Sequence, residues 1–171
     1  SDVCSSDLEG YRIVNLVIHM LAGLALQGVV RRTLTGSPSG RAWLESVSGR
    51  GFLIGDAGTA AALLAASIGL LWTLHPLHTE SVSYVIQRAE SLMGLFYLLT
   101  FYCFIRAVEP AGVSSGVSWR GLAVLCCALG MATKEVMVTA PVMVLLYDRA
   151  FVAGSFRRAW NDRRGLYLAL A

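Results

Sequence analysis

Long apolar runs, separated by short charged or glycine-rich segments, constrain this chain more than any other feature of its sequence. Hydrophobic residues make up 56% of the chain and charged residues only 15%. A helix needs about 20 apolar residues to cross a hydrocarbon core of roughly 30 Å. Helices satisfy their own backbone hydrogen bonds, which lipid cannot do. The pattern therefore predicts an all-α, polytopic membrane protein and excludes an ordinary soluble domain.

About five transmembrane spans and the start of a truncated sixth are predicted. They cover roughly residues 11–30, 57–74, 91–106, 119–133 and 136–147, with the sixth from about residue 165. Residues 119–147 could instead form one long helix, but a hairpin of two short helices agrees better with the distribution of charge. The glycine-, serine- and proline-rich residues 35–56 and 110–118 are predicted to be linkers.

Small residues recur at every fourth position of the second span. They form two adjacent rows, Gly58, Ala62 and Ala66, and Ala61, Ala65 and Gly69. Residues of this size allow two helix backbones to approach closely. The second span is therefore predicted to be a central packing helix.

The two ends of the chain suggest a fragment. Residues 1–8 fit nothing that follows and look like a translated sequencing adapter joined to a truncated gene, so we interpret them as a non-native artefact. The remaining residues 9–171 are interpreted as a partial transmembrane domain. The last residues lie inside an apolar run, which suggests that the C-terminus is truncated too.

The positions of the basic residues predict the orientation. If five spans alternate in direction, eleven of the fourteen Lys and Arg residues fall on one side, which the positive-inside rule makes cytoplasmic. The eleven are Arg31, Arg32, Arg41, Arg50, Arg106, Arg120, Arg149, Arg157, Arg158, Arg163 and Arg164. Arg12, Arg88 and Lys134 then share the outer face with residues 75–90. We expect a multi-pass protein of a bacterial inner membrane whose site faces the periplasm, or the endoplasmic reticulum lumen if it is eukaryotic, with no nucleic-acid partner.

The most polar segment lies between two apolar runs, in residues 75–90, and includes His75, His78, Glu80, Arg88 and Glu90. Ionisable groups next to hydrocarbon are costly, so such a cluster usually has partners or a function. The residues after His78 have the pattern of an amphipathic helix with Glu80 and Arg88 on one stripe. For the two histidines, capping and packing compete with contact to a ligand. A metal site is not expected, because a bare His-x-x-His lacks the geometry of the zinc-protease motif.

Two other positions extend this polar set. Asn15 and His19 are four residues apart on the first span, so they either line the same depression or hold the bundle together through a hydrogen bond. Lys134 is followed by Glu135 at the apex of the predicted hairpin. Arg88 and Lys134 either form internal ion pairs, with Glu80, Glu90 or Glu135 as partners, or bind a phosphate.

Five pieces of the sequence resemble, in their order and spacing, one known family. They are Gly10-Tyr-Arg-Ile-Val-Asn-Leu-Val-Ile-His19, Leu74-His-Pro-Leu-His-Thr-Glu-Ser-Val82, Arg88-Ala-Glu90, Thr133-Lys-Glu135 and Tyr147-Asp148. The chain resembles the membrane part of the transmembrane-and-tetratricopeptide-repeat (TMTC-like) C-type glycosyltransferases, which are similar to protein O-mannosyltransferases.

This resemblance implies a lipid-phosphate-dependent glycosyltransferase in the intact protein. Its donor would be a polyprenyl- or dolichyl-phosphate-linked, mannose-like sugar, and its acceptor a protein hydroxyl on the outer or lumenal face. The resemblance places the catalytic acidic pair upstream and tetratricopeptide repeats downstream, so the catalytic residues of this chain are unknown and the chain alone is expected to be inactive. The implied partners are the lipid-linked donor, the protein acceptor and the bilayer, and no cofactor is implied.

We therefore hypothesise that Arg88 and Lys134 bind the phosphate of the donor. The supporting polar site would consist of Asn15, His19, His75, His78, Glu80, Glu90 and Glu135. A transporter subunit is the alternative from another class, since intramembrane His, Glu and Lys also mark ion pathways. A non-catalytic membrane scaffold with tetratricopeptide repeats is the third.

Overall fold

The computed structural model describes residues 2–48, 56–76, 88–109 and 113–170, and within these ranges it is helical and has no strand. Its elements are α1 (Asp2–Gly36), α2 (Pro38–Ser48), α3 (Ala57–Thr73), α4 (Arg88–Val108), α5 (Val113–Thr133), a 3₁₀ segment (Glu135–Thr139), α6 (Ala140–Tyr147), a π segment (Asp148–Ala153) and α7 (Phe156–Leu170). Because α1 begins at Asp2, the helix shows no boundary after residue 8. The interpretation of residues 1–8 as an artefact stays a prediction.

Within the described residues, four segments are long and apolar enough to cross a membrane. They are Gly10–Gly36, Arg88–Val108, Gly116–Thr133 and Glu135–Ala153. The helix α3 is equally apolar but has only 17 residues, which corresponds to about 25 Å. The helix covers the span predicted for residues 57–74 except its last residue. Its length is less than the roughly 30 Å of a hydrocarbon core. The predicted class, an all-α membrane protein, is confirmed.

The helix α1 packs between α3 and α4, and α4 packs between α1 and α5. Thr73 at the end of α3 lies against Gly23, whereas Ala60 at its start belongs to the same cluster as Leu34. The helices α1 and α3 therefore run antiparallel. In contrast, α1 and α4 run parallel, as contacts at both of their ends show below.

Small residues bring α1 and α3 together. Ala61, Ala65 and Gly69 are buried, and a Cβ atom added at Gly69 would be 3.3 Å from the Cβ of Gln27. A Cβ atom at Gly23 would be 2.4 Å from Oγ1 of Thr73. The predicted close packing is confirmed for this row, and the row that begins at Gly58 is less buried.

Both linker predictions are wrong within the described residues. Residues 38–48, half of the first predicted linker, form α2, which begins with Pro38, a residue well suited to the first turn of a helix. Leu44 is 1% exposed and packs with Ala60 and Ala61 of α3. The helix α5 likewise begins at Val113, inside the second predicted linker. Residues 49–55 and 110–112 lie outside the described ranges.

The helix α5 ends at Thr133, and Lys134 adopts an extended conformation with φ −158° and ψ 141°. The N–H group of Lys134 still donates to Gly130 O at 3.1 Å, and Met137 N–H donates to Lys134 O at 3.2 Å. Backbone hydrogen bonds therefore continue on both sides of the break. A single continuous helix over residues 119–147 is excluded.

After this break the chain reverses direction. Thr139 Oγ1 is 3.3 Å from the hydroxyl of Tyr97, and Tyr147 packs edge-on against Phe104, farther along α4. Residues 135–153 therefore run parallel to α4 and opposite to α5, as a hairpin requires. The two limbs of the hairpin meet at Lys134, and each is longer than the short helices predicted for residues 119–133 and 136–147.

Candidate functional site

Three segments that the sequence analysis singled out lie at one end of the bundle, called here the Lys134 end. It comprises the first turns of α1 after Gly10, the end of α3 with His75, the start of α4, and Lys134. At the opposite end, the Arg32 end, Arg32 of α1 contacts Glu109, the residue after α4. For the residues that it describes, the structure brings these segments to one end of the bundle. His78 and Glu80 lie outside them.

Arg88 joins the start of α4 to α1. Its Nε donates to Oδ1 of Asn15 at 3.3 Å, and its guanidinium lies 4.7 Å from the ring centroid of Tyr11. Asn15 is 2% exposed. A guanidinium over an aromatic face is attracted by the negative charge of the π cloud, so two uncharged groups hold this cation.

Lys134 joins the apex of the hairpin to α4. Its Nζ donates to Oε1 of Glu90, and the two side chains are 39% and 54% exposed. Of the two candidate partners that the structure describes, Glu90 and Glu135, it is Glu90 that pairs with Lys134. Glu135 begins the 3₁₀ segment and is exposed. An ion pair this exposed contributes little to stability, so its partners can exchange at small cost.

A cavity of about 150 Å³ lies beside this ion pair and is lined by His19, Trp72, Glu90 and Ser91, among others. The Nε2–H group of His19 donates to Thr73 O at 3.0 Å, and the imidazole stacks on the indole of Trp72 with ring centroids 4.9 Å apart. Both contacts link α1 to α3. The structural role considered for His19, an interhelical hydrogen bond, is therefore present, and the same ring forms a wall of the cavity.

Ser91 contributes a buried Oγ atom that has no hydrogen-bond partner among the residues that the structure describes. Buried hydroxyl groups are nearly always paired. An orphaned hydroxyl in the lining of a cavity is thus available to a polar group that enters it. A carboxylate, a hydroxyl and an aromatic face together suit a ligand that carries several hydroxyl groups.

Tyr11, Trp72 and Ser91 also belong to this site, although the sequence did not predict them there. Ser91 follows Glu90 on the polar arc of the amphipathic pattern, so helical periodicity was a signal for it. The two aromatic residues gave none, since each adjoins an apolar run. His75 follows α3 and is exposed, and its backbone N–H group donates to Trp72 O at 3.3 Å. In the described part of the chain, no three His, Cys, Asp or Glu side chains are placed to hold a metal ion.

No family model and no solved structure matches this chain. Curated proteins do match. The chain is 30% identical over 141 residues to protein O-mannosyl-transferase Tmtc2 of Drosophila melanogaster, which covers 81% of the chain and 12% of that protein. It is 36% identical over 99 residues to protein O-mannosyl-transferase TMTC4 of Homo sapiens, covering 56% of the chain and 13% of that protein.

A third relative, protein O-mannosyl-transferase tmtc2 of Xenopus laevis, is 38% identical over 81 residues, which are 47% of the chain and 10% of that protein. The chain thus spans only a small part of the length of the relatives it matches. Similarity to several such proteins, from fly to human, agrees with the resemblance carried by the motifs. The chain belongs to the TMTC-like family of protein O-mannosyl-transferases.

Proposed function

We propose that the intact protein that carries this chain is a membrane glycosyltransferase. It moves a mannose-like sugar from a polyprenyl- or dolichyl-phosphate donor to a protein hydroxyl at the outer or lumenal face. The names of the relatives support the reaction class. The observation that supports the proposal for this chain is that Arg88 and Lys134 lie at the same end of the bundle, where Glu90, the partner of Lys134, lines a cavity together with Ser91.

Two cations at this position suit the departure of a phosphate. During transfer, the bond between the anomeric carbon of the sugar and the phosphate oxygen breaks, while a bond from that carbon to the acceptor oxygen forms. Negative charge then grows on the leaving phosphate, and fixed positive charges stabilise it. Arg88 is held by uncharged groups, so its charge is not cancelled by them. Lys134 is balanced by one exposed carboxylate, which the phosphate would displace or share.

The acceptor hydroxyl must lose its proton, and a carboxylate is the usual base. We assign no residue of this chain to that step, because the resemblance places the acidic pair upstream. Glu90, His19 and Ser91 instead serve as positioning residues that bind hydroxyl groups of the sugar or the acceptor. The proposed sidedness follows from the arginines, which gather away from the Lys134 end.

The test compares charge removal at the two ends of the bundle in the intact protein. Lys134→Gln and Arg88→Gln should each lower sugar transfer from a polyprenyl-phosphate donor about 100-fold or more, the usual loss when one donor to a developing anion is removed. Lys134→Arg should retain part of the rate. The matched control is Arg157→Gln, an exposed arginine of α7.

Expression and membrane insertion of all four variants are measured alongside, so that loss of protein is not mistaken for loss of chemistry. Wild-type rates in both Lys134→Gln and Arg88→Gln would remove the phosphate assignment. An equal loss in Arg157→Gln would point to general destabilisation instead.

A further inference from the structure

We propose that the Arg32 end contains a binding site for the phosphodiester headgroup of an anionic phospholipid. A cavity of about 190 Å³ lies there between α1, α2, the end of α4 and the second limb of the hairpin. Its lining includes Arg32, Arg41, Glu109, Tyr147, Phe151 and Val152. The site is separate from the Lys134 end and does not depend on the proposed transfer reaction.

The charged side chains in and beside this cavity leave an excess of positive charge. Arg32 grips both carboxylate oxygens of Glu109, at 2.5 and 2.7 Å, and Arg106 lies 3.8 Å from the same carboxylate. Arg41 is exposed and forms no ion pair with any carboxylate that the structure describes. One carboxylate therefore faces two lining arginines and Arg106, and the negative charge of a phosphodiester would offset part of the excess. Arginine binds phosphate oxygens in a bidentate manner.

The rest of the lining suits the apolar part of a lipid. Phe151 and Val152 are 37% and 41% exposed, and Ile105 and Val108 also line the cavity. These side chains continue the apolar surface of two segments that are long enough to cross a membrane. An acyl chain that leaves the cavity would thus lie along the protein in the hydrocarbon region.

The helix α2 places the cavity at the level of the headgroups. Its Leu44 is buried against α3, whereas Trp43 is 49% exposed. A short helix with one buried apolar face and an outward tryptophan is typical of the membrane interface. Arg41 of the same helix faces the cavity. Basic pockets between transmembrane helices on the cytoplasmic side bind anionic headgroups, and the arginine-rich end is the cytoplasmic end of our proposed orientation.

The test measures lipid binding to the purified intact protein by native mass spectrometry in detergent. Phosphatidylglycerol and phosphatidylcholine with the same acyl chains are titrated separately. We expect phosphatidylglycerol to bind more tightly, and Arg41→Gln to weaken it about fivefold, the effect of one basic residue near an anionic headgroup. Arg41→Lys should retain most of the affinity. Arg157→Gln, which removes an exposed charge outside the cavity, should leave it unchanged.

Thermal unfolding without added lipid checks that Arg41→Gln is folded, as its exposure leads us to expect. Equal binding of the two lipids, or an equal loss in Arg41→Gln and Arg157→Gln, would overturn the proposal. Inorganic phosphate is added as a competitor at the lipid concentration. If it displaces phosphatidylglycerol, the cavity binds free phosphate and the assignment to a lipid is wrong.

Discussion

Two ion pairs at opposite ends of the bundle show how burial divides charged residues by role. Asp148 of the π segment is fully buried, and one nitrogen of Arg163 lies 3.0 Å from each of its carboxylate oxygens. The hydroxyl of Tyr167 donates to the same carboxylate. Lys134 and Glu90, in contrast, share one contact and are half exposed. The first pair can only hold the fold, whereas the second can exchange its partner for a ligand.

The largest expected effect tests the buried pair. Asp148→Asn keeps the shape of the side chain but leaves Arg163, whose side chain is 18% exposed, without its counter-ion. Breaking a buried ion pair from one side costs about 3–5 kcal/mol, so the free energy of unfolding in mild detergent should fall by that amount. The control is Asp162→Asn, whose exposed pair with Arg158 is 3.9 Å long and should contribute well under about 1 kcal/mol. Similar losses of unfolding free energy in Asp148→Asn and Asp162→Asn would contradict the difference between buried and exposed ion pairs.

The Lys134 end is held by close packing more than by charge, and Gly23→Ala tests this. The added Cβ would be 2.4 Å from Oγ1 of Thr73, whose hydroxyl donates to Gly69 O at 2.7 Å. Forcing the hydroxyl away should lower the free energy of unfolding by about 1–3 kcal/mol, as for other overpacked sites. Gly121→Ala is the matched control, since a Cβ there meets nothing within 4 Å. A neutral Gly23→Ala would show that α1 and α3 separate easily.

Removing the exposed pair should barely change stability. We expect Lys134→Gln to lower the free energy of unfolding by about 1 kcal/mol or less, because solvent already screens both partners. The same variant should lose most of its transfer activity, so its stability and its activity should respond very differently. Unfolding and transfer are measured on one preparation. A loss of stability as large as that of Asp148→Asn would make Lys134 a structural residue.

The smallest expected effect concerns Asp56, an exposed carboxylate that caps a helix. Asp56, near the start of α3, accepts hydrogen bonds from Thr59 Oγ1 at 2.5 Å and from Gly58 N–H at 3.2 Å. These bonds favour the ionised form and lower the pKa of Asp56 below its ordinary value of 3.8. Its contribution to stability is therefore complete above that value and is lost as the pH falls through the folded-state pKa.

Asp56→Ala should accordingly unfold at a slightly lower temperature than the wild type at neutral pH, and the two should converge in acid. Asp56→Asn, which can still cap the helix, should lie between them at neutral pH. Thermal unfolding at several pH values makes this measurement. A difference between Asp56→Ala and the wild type that persists unchanged in acid would mean that the charge of Asp56 does not matter.

The sequence predicted those features that depend on local chemistry and length. The apolar runs indicated the helices, and the pair Lys134 and Glu135 interrupted them where the hairpin turns. The composition of residues 35–56 led to the wrong prediction of a linker. The burial of Leu44 against α3 outweighs a weak local preference for an irregular conformation. Tertiary contact decides such short helices, and the sequence alone does not contain it.

Contacts between helices set the remaining details of the site. Among the candidate glutamates that the structure describes, the packing of α5 on α4 brings Glu90 to Lys134. The cavity beside it exists because Gly23 and Gly69 let α1 and α3 approach, which brings His19 to Trp72. The pairing of Asp148 with Arg163 follows from the turn at Gly154, whose φ of 74° suits glycine.

The turn at Lys134 has a consequence for how such sequences diverge. Gly130 and Met137 interlock across it, since a Cβ at Gly130 would be 2.8 Å from the sulfur of Met137. An inserted or deleted residue would rotate the second limb by about 100° and pull the lysine away from its glutamate. Surface loops drift freely in length, but this reversal cannot. Homologous genes should therefore align without gaps from residue 130 to residue 139, even where every neighbouring connection varies.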